Sequence, residues 1–163
     1  MEIRRATIAD AREIHKLIGS FASKGEMLPR SLSEIYEHIR DYLVCVDENA
    51  KMMGVSSLHI MWEDLAEIRS LAVYTECSGR GVGTKLVAAC IAEGVVLGIK
   101  RIFALTYRPV YFKRFGFQEV DKSTLPQKIW TDCLKCSQFP DCDETAVILE
   151  LASEEGVYEK GLR

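Results

Sequence analysis

The sequence predicts an α/β domain whose strands form one mixed, largely antiparallel central sheet flanked by helices. Three observations indicate this class. Two capped helical patterns lie near the start of the chain, strands spaced as hairpins occupy the middle, and a strand, a glycine-rich turn, a helix and another strand follow. Helices and strands that interleave in this way pack in layers around one hydrophobic core.

Both early helices carry the sequence signature of a capping box. Thr7 and Asp10 form the first box, and apolar residues follow at helical spacing as far as Phe21. Ser31 and Glu34 form the second box. The helix that it opens is expected to carry three residues on one apolar face: Ile35, Ile39 and Leu43.

The remaining elements follow from β-forming residues bounded by turn residues. Strands are expected over residues 2–6, 42–46, 52–61, 65–74, 100–107, 118–120 and 145–151. Helices are expected over residues 81–97 and 109–115, closed by Gly98 and Gly116 respectively.

Length and charge limit the classes of protein that remain. A chain of 163 residues fits a single domain over residues 1–163. The net charge of −3 argues against a dedicated nucleic-acid partner. The most apolar stretch, residues 86–99, contains Glu93 and is too short to span a bilayer, and no apolar signal segment is visible. We expect a cytoplasmic protein without a membrane or nucleic-acid partner; a homodimer stays an open alternative.

The main functional signal is the glycine-rich segment Ser78-Gly79-Arg80-Gly81-Val82-Gly83-Thr84, which separates a predicted strand from a predicted helix. Glycine allows positive φ and a close approach of backbone to ligand. The first N–H groups of the helix have no acceptor within the helix, so a pyrophosphate fits there. The spacing lacks the Gly-Lys-Ser/Thr of a P-loop. The alternative is a tight turn that binds nothing.

A second motif, Tyr111-Phe112-Lys113-Arg114-Phe115-Gly116-Phe117, follows the next predicted strand. Together the two motifs resemble the GNAT superfamily of acetyl-CoA-dependent N-acetyltransferases. Gly81 and Gly83 match glycines of the family's pyrophosphate loop. Ser78 stands where that loop begins with Arg or Gln, and Arg80 supplies a positive charge nearby.

The resemblance implies acetyl-CoA as co-substrate and a GNAT-like fold. The pantetheine arm would lie along the strand before the glycine-rich turn, with the N–H of Val73 polarising the thioester carbonyl. The residues implied to bind the cofactor are Leu71, Ala72, Val73, Ser78, Gly79, Arg80, Gly81, Val82, Gly83 and Thr84.

Direct attack of an amine on the thioester needs a base for the ammonium proton and an acid for the departing thiolate. Glu67 is the candidate base, because the resemblance places its strand facing the thioester. Arg69, two residues further on, would share its face. The alternative is a structural Glu–Arg pair. Tyr111 is the candidate acid, and Tyr107 and water are the alternative acids. The structural alternative is that the Tyr111 ring only packs against the core.

A closer resemblance is to the short bacterial branch of N-acetylglutamate synthases, which lacks the amino-acid-kinase-like domain. It is carried by Met27-Leu28-Pro29-Arg30-Ser31, by residues 66–73 and by Phe115-Gly116-Phe117. This implies that Arg30 and Arg69 bind the carboxylates of L-glutamate, and it implies a role in arginine biosynthesis. Alternatives are acetylation of a peptide N-terminus, a polyamine or a drug, and a non-catalytic acyl-CoA-binding sensor.

Cys133, Cys136 and Cys142 lie in a polar excursion, residues 122–143, before the last strand. Cys133 and Cys136 have the spacing of a zinc-ligand pair. We expect free thiols and no metal, because the segment lacks a clear fourth ligand. A structural zinc ion is the alternative.

Overall fold

The computed structural model describes residues 1–126 and 144–151. The expectations for Cys133, Cys136 and Cys142 concern residues outside these ranges. The helices are α1 (Ala11–Ala22), α2 (Leu32–Glu37), α3 (Val82–Val96) and α4 (Pro109–Lys113). The strands are β1 (Glu2–Arg5), β2 (Tyr42–Val46), β3 (Met52–Trp62), β4 (Leu65–Val73), β5 (Arg101–Thr106), β6 (Gln118–Val120) and β7 (Thr145–Glu150).

Within the described residues, the strands form a seven-stranded sheet in the order β1-β2-β3-β4-β5-β7-β6. The pairs β1–β2, β2–β3, β5–β7 and β6–β7 are antiparallel, whereas β4 and β5 are parallel. The predicted mixed, largely antiparallel α/β fold is therefore confirmed.

The chain divides into two compact units: Met1–His59 with Ile68–Ile91, and Ile60–Glu67 with Ala92–Arg163. Strands β3 and β4 each contribute residues to both units. The single domain expected over residues 1–163 stays a prediction.

In the first unit, the predicted cap of the first helix is present. The Asp10 carboxylate accepts hydrogen bonds from the Thr7 N–H at 2.7 Å and from both terminal nitrogens of Arg4, at 2.7 and 3.0 Å. The hydrogen bonds from Arg4 are the main cause that lowers the pKa of Asp10. The box encloses a 3-10 turn, Ile8–Asp10, before α1 begins at Ala11.

The second helix begins as predicted and ends earlier. The Ser31 hydroxyl accepts from the Glu34 N–H at 3.1 Å. Helix α2 ends at Glu37, and a 3-10 turn, Ile39–Asp41, leads directly into β2. The prediction that Leu43 shares a helical face with Ile35 was wrong, because this stretch pairs with β1 and β3 and is buried throughout.

The core of the first unit forms where the two early helices cover the sheet. Ile14, Leu17 and Ile18 of α1 pack with Ile35 of α2 and with inward-facing strand residues such as Val44. Burial of each large apolar side chain stabilises the unit by roughly 1.5–3 kcal/mol. This core fixes the position of β2, β3 and the second half of β4.

The second unit has its own core, in which Met61, Leu65 and Phe103 pack with Leu125 and Ala146. The parallel pairing of β4 with β5 covers Leu65–Glu67 and Arg101–Phe103. None of the helices in the described part of the chain is long and apolar enough to cross a membrane.

Candidate active site

The glycine turn, residues 78–84, adopts the conformation that its sequence predicts. Gly79 and Gly81 have φ values of +77° and +80°, in the left-handed region that favours glycine. Helix α3 begins at Val82, and the Lys85 N–H donates to the Gly81 carbonyl at 3.1 Å. The N–H groups of the first turn, on Val82 to Thr84, therefore precede the first helical hydrogen bond and can donate to an anion.

Gly54 of β3 lies against the end of β4 and the start of α3, next to the glycine turn. A Cβ at Gly54 would lie 2.9 Å from the Ala72 carbonyl oxygen, 3.0 Å from Val82 Cγ1 and 3.2 Å from Leu86 Cδ1. Only a residue without a side chain permits β3, the end of β4 and the start of α3 to come this close. The sequence analysis did not identify Gly54.

Strand β4 leads into the glycine turn and contains an irregularity at Ser70. Ser70 has a φ of +55°, which costs a non-glycine residue roughly 1–2 kcal/mol. Two buried serines of β3 offset this cost, because the hydroxyls of Ser57 and Ser56 donate to the Arg69 carbonyl at 3.2 and 3.4 Å. The Ser70 conformation interrupts the alternation of side chains between the two faces of the strand.

The buried ring of Tyr42 brings together residues from three segments. Burial is the main cause that raises the pKa of Tyr42. The positive charges of Arg30 and Arg69 act in the opposite direction on its hydroxyl, as does a hydrogen bond with the Ser70 side chain. We call Arg30, Tyr42, Arg69 and Ser70 the Tyr42 cluster.

The Tyr42 cluster combines two guanidinium groups with two hydroxyls. Arg30 also lies 3.9 Å from Glu34 in α2, and its side chain is 13% exposed. Two guanidiniums can each bind a carboxylate with two parallel hydrogen bonds. The positive charges of the two arginines singled out in the sequence both act to lower the pKa of the Tyr42 hydroxyl.

The candidate base Glu67 lies in the second unit, on the part of β4 that pairs with β5. It is 7% exposed and is one of three buried polar residues in the described chain. Charged side chains are almost never fully buried unless they are paired, so a glutamate this buried is a candidate for a functional role. Its role as a base stays a prediction.

The candidate acid Tyr111 is the third residue of α4 and also belongs to the second unit. Its ring meets those of Phe112 and Phe115 edge-on, with centroids 5.6 Å apart in both pairs, and the Arg114 guanidinium lies 5.5 Å from its centroid. These contacts account for the ring by packing alone. A role for Tyr111 in protonating the thiolate stays a prediction.

Sequence analysis missed a group that is visible only in the fold. His38 follows α2, Asp41 ends the 3-10 turn and His59 lies in β3, and the two histidine rings approach one carboxylate oxygen of Asp41. Tyr42 and Ser70 were missed as well. Tyr42 looked like an ordinary strand residue, and a positive φ at a serine leaves no signal in the sequence.

A glycine turn that leads from an irregular strand into a helix is typical of α/β proteins whose backbone N–H groups donate to the phosphates of a carrier. The chain belongs to the Acetyltransferase (GNAT) family, which it matches over residues 9–117. The family predicted from the two motifs is thereby confirmed.

Relatives of known sequence support the narrower resemblance. An uncharacterized N-acetyltransferase of Chlorobaculum tepidum is 40% identical over 149 residues, which cover 91% of this chain and 96% of that protein. An amino-acid acetyltransferase of Mycobacterium tuberculosis is 30% identical over 132 residues, covering 80% of this chain and 75% of that protein. An amino-acid acetyltransferase of Neisseria meningitidis is 31% identical, but the chain spans only 29% of its length.

Solved structures agree with the sequence matches. A Mycobacterium tuberculosis protein in complex with CoA and NLQ superimposes with a TM-score of 0.80 at 26% identity, covering 93% of this chain and 100% of that one. An N-acetylglutamate synthase of Neisseria gonorrhoeae in complex with coenzyme A and N-acetyl-glutamate gives a TM-score of 0.83 at 26% identity. It covers 93% of this chain and 35% of that one.

The protein is therefore an acetyl-CoA-dependent N-acetyltransferase, as predicted, and CoA binding is confirmed at the level of the family. The individual cofactor residues, Leu71 to Val73 and Ser78 to Thr84, stay predictions.

Proposed function

We propose that this enzyme acetylates the α-amine of an amino acid with an acidic side chain, and that L-glutamate is the best match. The product, N-acetylglutamate, would place the enzyme in arginine biosynthesis. The observation that carries the proposal is the Tyr42 cluster, in which the positive charges of Arg30 and Arg69 both act to lower the pKa of one buried tyrosine hydroxyl. Glutamate has two carboxylates, and two guanidiniums can bind one each.

The names of the relatives support the same acceptor. The mycobacterial and neisserial relatives are amino-acid acetyltransferases, and one structural neighbour is a synthase in complex with coenzyme A and N-acetyl-glutamate. A polyamine acceptor would require acidic partners for its ammonium groups. The positive charges around Tyr42 disfavour such a substrate.

The proposed reaction is a direct transfer. Glu67 accepts a proton from the substrate ammonium, and the neutral amine attacks the thioester carbonyl. The carbonyl oxygen becomes negatively charged in the tetrahedral intermediate, where the N–H of Val73 would stabilise it. The C–S bond then breaks, and the CoA thiolate takes a proton from Tyr111 or water. The products are the N-acetyl amino acid and CoA.

The test compares acceptors and arginine variants by the release of CoA thiol. We expect L-glutamate to be the best acceptor, followed by L-aspartate and L-glutamine. Arg69→Ala should lower kcat/KM for glutamate by about 10- to 100-fold, because a carboxylate loses a charged hydrogen-bond partner worth roughly 1.5–3 kcal/mol. Arg69→Lys should recover only part of the loss, since lysine keeps the charge and loses the planar fork.

Arg12→Ala is the matched control, because Arg12 is an exposed arginine of α1. It should leave both kcat/KM and acetyl-CoA affinity unchanged. Equal rates with glutamine and glutamate would deny a role to the side-chain carboxylate. Acetylation of a peptide or a polyamine, with no turnover of any amino acid, would remove the proposed acceptor and leave the acetyltransferase activity in place.

A further inference from the structure

Three side chains that are distant in the sequence converge beside β2. His59 Nδ1 lies 2.9 Å from Asp41 Oδ2, and His38 Nδ1 lies 3.7 Å from the same oxygen. One nitrogen or oxygen atom from each of the three lies within 4.8 Å of the other two. We call these residues the histidine cluster.

The backbone brings the histidine cluster together. His38 follows the last residue of α2, and Asp41 is the last residue of the 3-10 turn. The antiparallel register of β2 and β3 pairs Tyr42 with Ser57, so the start of β2, next to Asp41, lies close to the part of β3 that contains His59. All three belong to the first unit, and their positions follow from its sheet.

A simple hydrogen-bond network accounts for only part of this geometry. The 2.9 Å separation of His59 and Asp41 is an ordinary hydrogen bond. The 3.7 Å separation of His38 from the same oxygen is too long for one. Even so, the two imidazole rings stand almost perpendicular, at 82°, with centroids 5.1 Å apart and Nδ1 atoms near one oxygen.

The donor set and the spacing match those of a transition metal. Two imidazoles and one carboxylate are the protein ligands of one class of zinc sites, in which other positions stay open for water or substrate. Bonds of roughly 2.0–2.1 Å in a tetrahedral site separate neighbouring ligand atoms by about 3.3 Å. The observed 2.9 and 3.7 Å lie on either side of that separation, so shifts of less than 1 Å would suffice. Mg²⁺ and Ca²⁺ prefer oxygen ligands.

Access to the histidine cluster is open. The side chain of His38 is 49% exposed, and those of Asp41 and His59 are 26% and 23% exposed. An ion can therefore reach the three donors from solvent. The negative charge of Asp41 offsets part of the charge of a cation.

We propose that His38, Asp41 and His59 bind one divalent transition-metal ion, for which Zn²⁺ is the best match, with at least one coordination position left for water or another ligand. The ion would link the residue that follows α2, the 3-10 turn and β3. Asp41 is followed directly by Tyr42, so the ion would stiffen the segment that carries the Tyr42 cluster. The site does not depend on the identity of the acceptor.

The test is a titration of the purified chain with Zn²⁺ against a chromophoric chelator. Thiolates are zinc ligands, so the measurement is made in parallel on a variant with serine at Cys133, Cys136 and Cys142. We expect one equivalent of Zn²⁺ that persists in the serine variant. His59→Ala and His38→Ala should each weaken it by at least about tenfold.

His15→Ala is the matched control, because His15 is an exposed histidine of α1 outside the histidine cluster. Its Zn²⁺ affinity should equal that of the parent. His38→Ala alters an exposed side chain, so it remains a valid test if His59→Ala does not fold. Replacement of Zn²⁺ by Co²⁺ identifies the ligands, since a thiolate-to-cobalt charge-transfer band appears only when cysteine is bound.

Binding that disappears in the serine variant, or that His38→Ala and His59→Ala leave unchanged, would overturn the proposal. So would a thiolate band with cobalt in the serine variant, because it would assign the ion to the remaining cysteines. A melting temperature that rises with Zn²⁺ in the serine variant but not after His38→Ala would support it.

Discussion

The glycine turn and the Tyr42 cluster lie in the same unit and are built in opposite ways. The glycine turn is one continuous segment whose first four residues, 78–81, are exposed, and in it Gly79 and Gly81 take positive φ. The Tyr42 cluster consists of side chains from three segments around a tyrosine that is 4% exposed. A site made of backbone can be altered only by changing conformation, whereas a site made of side chains can be altered one group at a time.

The largest effect is expected at Glu67, which would act on the chemistry and not on either binding surface. Glu67→Gln keeps the shape and removes the base, so kcat should fall by about 10²- to 10⁴-fold at neutral pH. The rate should recover in part at high pH, where more of the amine is already neutral. The measurement is a pH profile of kcat, with acetyl-CoA affinity determined separately and expected to be unchanged.

Glu63→Gln provides the control for this experiment, since Glu63 is an exposed glutamate between β3 and β4. A Glu67→Gln enzyme with normal kcat at neutral pH would show that another group or water takes the proton.

The backbone character of the glycine turn is tested by Gly81→Ala. A Cβ at Gly81 would meet no protein atom within 4 Å, so the expected damage comes from the φ of +80° and from the ligand. We expect acetyl-CoA to bind at least about tenfold more weakly, because alanine in this region is strained by roughly 1–2 kcal/mol and the turn must shift. Calorimetric titration of the folded variant measures this.

Gly98→Ala separates strain from ligand contact. Gly98 has a φ of +76° and equally open surroundings, but it closes the far end of α3. It should lose stability and keep its acetyl-CoA affinity. Equal losses of affinity in both variants would mean that general destabilisation, and not the glycine turn, controls cofactor binding.

A smaller effect is expected within the Tyr42 cluster. Tyr42→Phe keeps the buried ring and removes the hydroxyl, so KM for glutamate should rise by about 5- to 10-fold, the loss of one hydrogen bond. Both kcat and acetyl-CoA affinity should stay near the parent values. Tyr36→Phe, at a tyrosine of α2 that is 37% exposed, serves as the control. If both variants have the parent KM, the Tyr42 hydroxyl does not contribute to the acceptor site.

The smallest effect lies outside both regions, at the cap of α1. The pKa of Asp10 is lowered in the folded protein, chiefly by its hydrogen bonds with Arg4. The carboxylate therefore contributes stability above its unfolded pKa, and that contribution is lost as pH falls through the folded pKa. Asp10→Asn should lower the free energy of unfolding by about 1 kcal/mol at pH 7, since the pair is partly open to solvent.

Denaturant titrations of Asp10→Asn and the parent at pH 7 and at about pH 3 check this prediction, with Glu37→Gln as an exposed control in α2. The two stabilities should converge as the pH is lowered. A constant difference across that range would show that the ion pair with Arg4 contributes nothing.

The glycine turn and the Tyr42 cluster also differ in how much of each could be predicted from the sequence. Residues 81–97 were expected to form a helix, and α3 spans Val82–Val96, because Gly81 and Gly98 mark both ends locally. The capping box at Ser31 was also predicted correctly. The end of α2 was not, because β2 pairs with two other strands and its residues cannot continue the helical pattern.

The side-chain sites depend on contacts between distant segments. Arg30 and Arg69 were singled out through a family resemblance, whereas Tyr42, which connects them, was not. His38 and His59 show no informative spacing in the sequence, yet the fold brings them to one carboxylate. Local sequence encodes turns and caps, and strand register decides which distant side chains meet.

Gly54 has a consequence for how variation in this family would be measured. Every substitution adds a Cβ within 2.9 Å of the Ala72 carbonyl and 3.0 Å of Val82 Cγ1. In a saturation-mutagenesis library scored on growth, Gly54 would therefore rank beside true ligand-contacting positions, although it lies behind them. Smaller residues at Val82 or Leu86 would relieve the two side-chain contacts but not the contact with the Ala72 backbone carbonyl, so an alanine at position 54 should be hard to rescue by a second-site change.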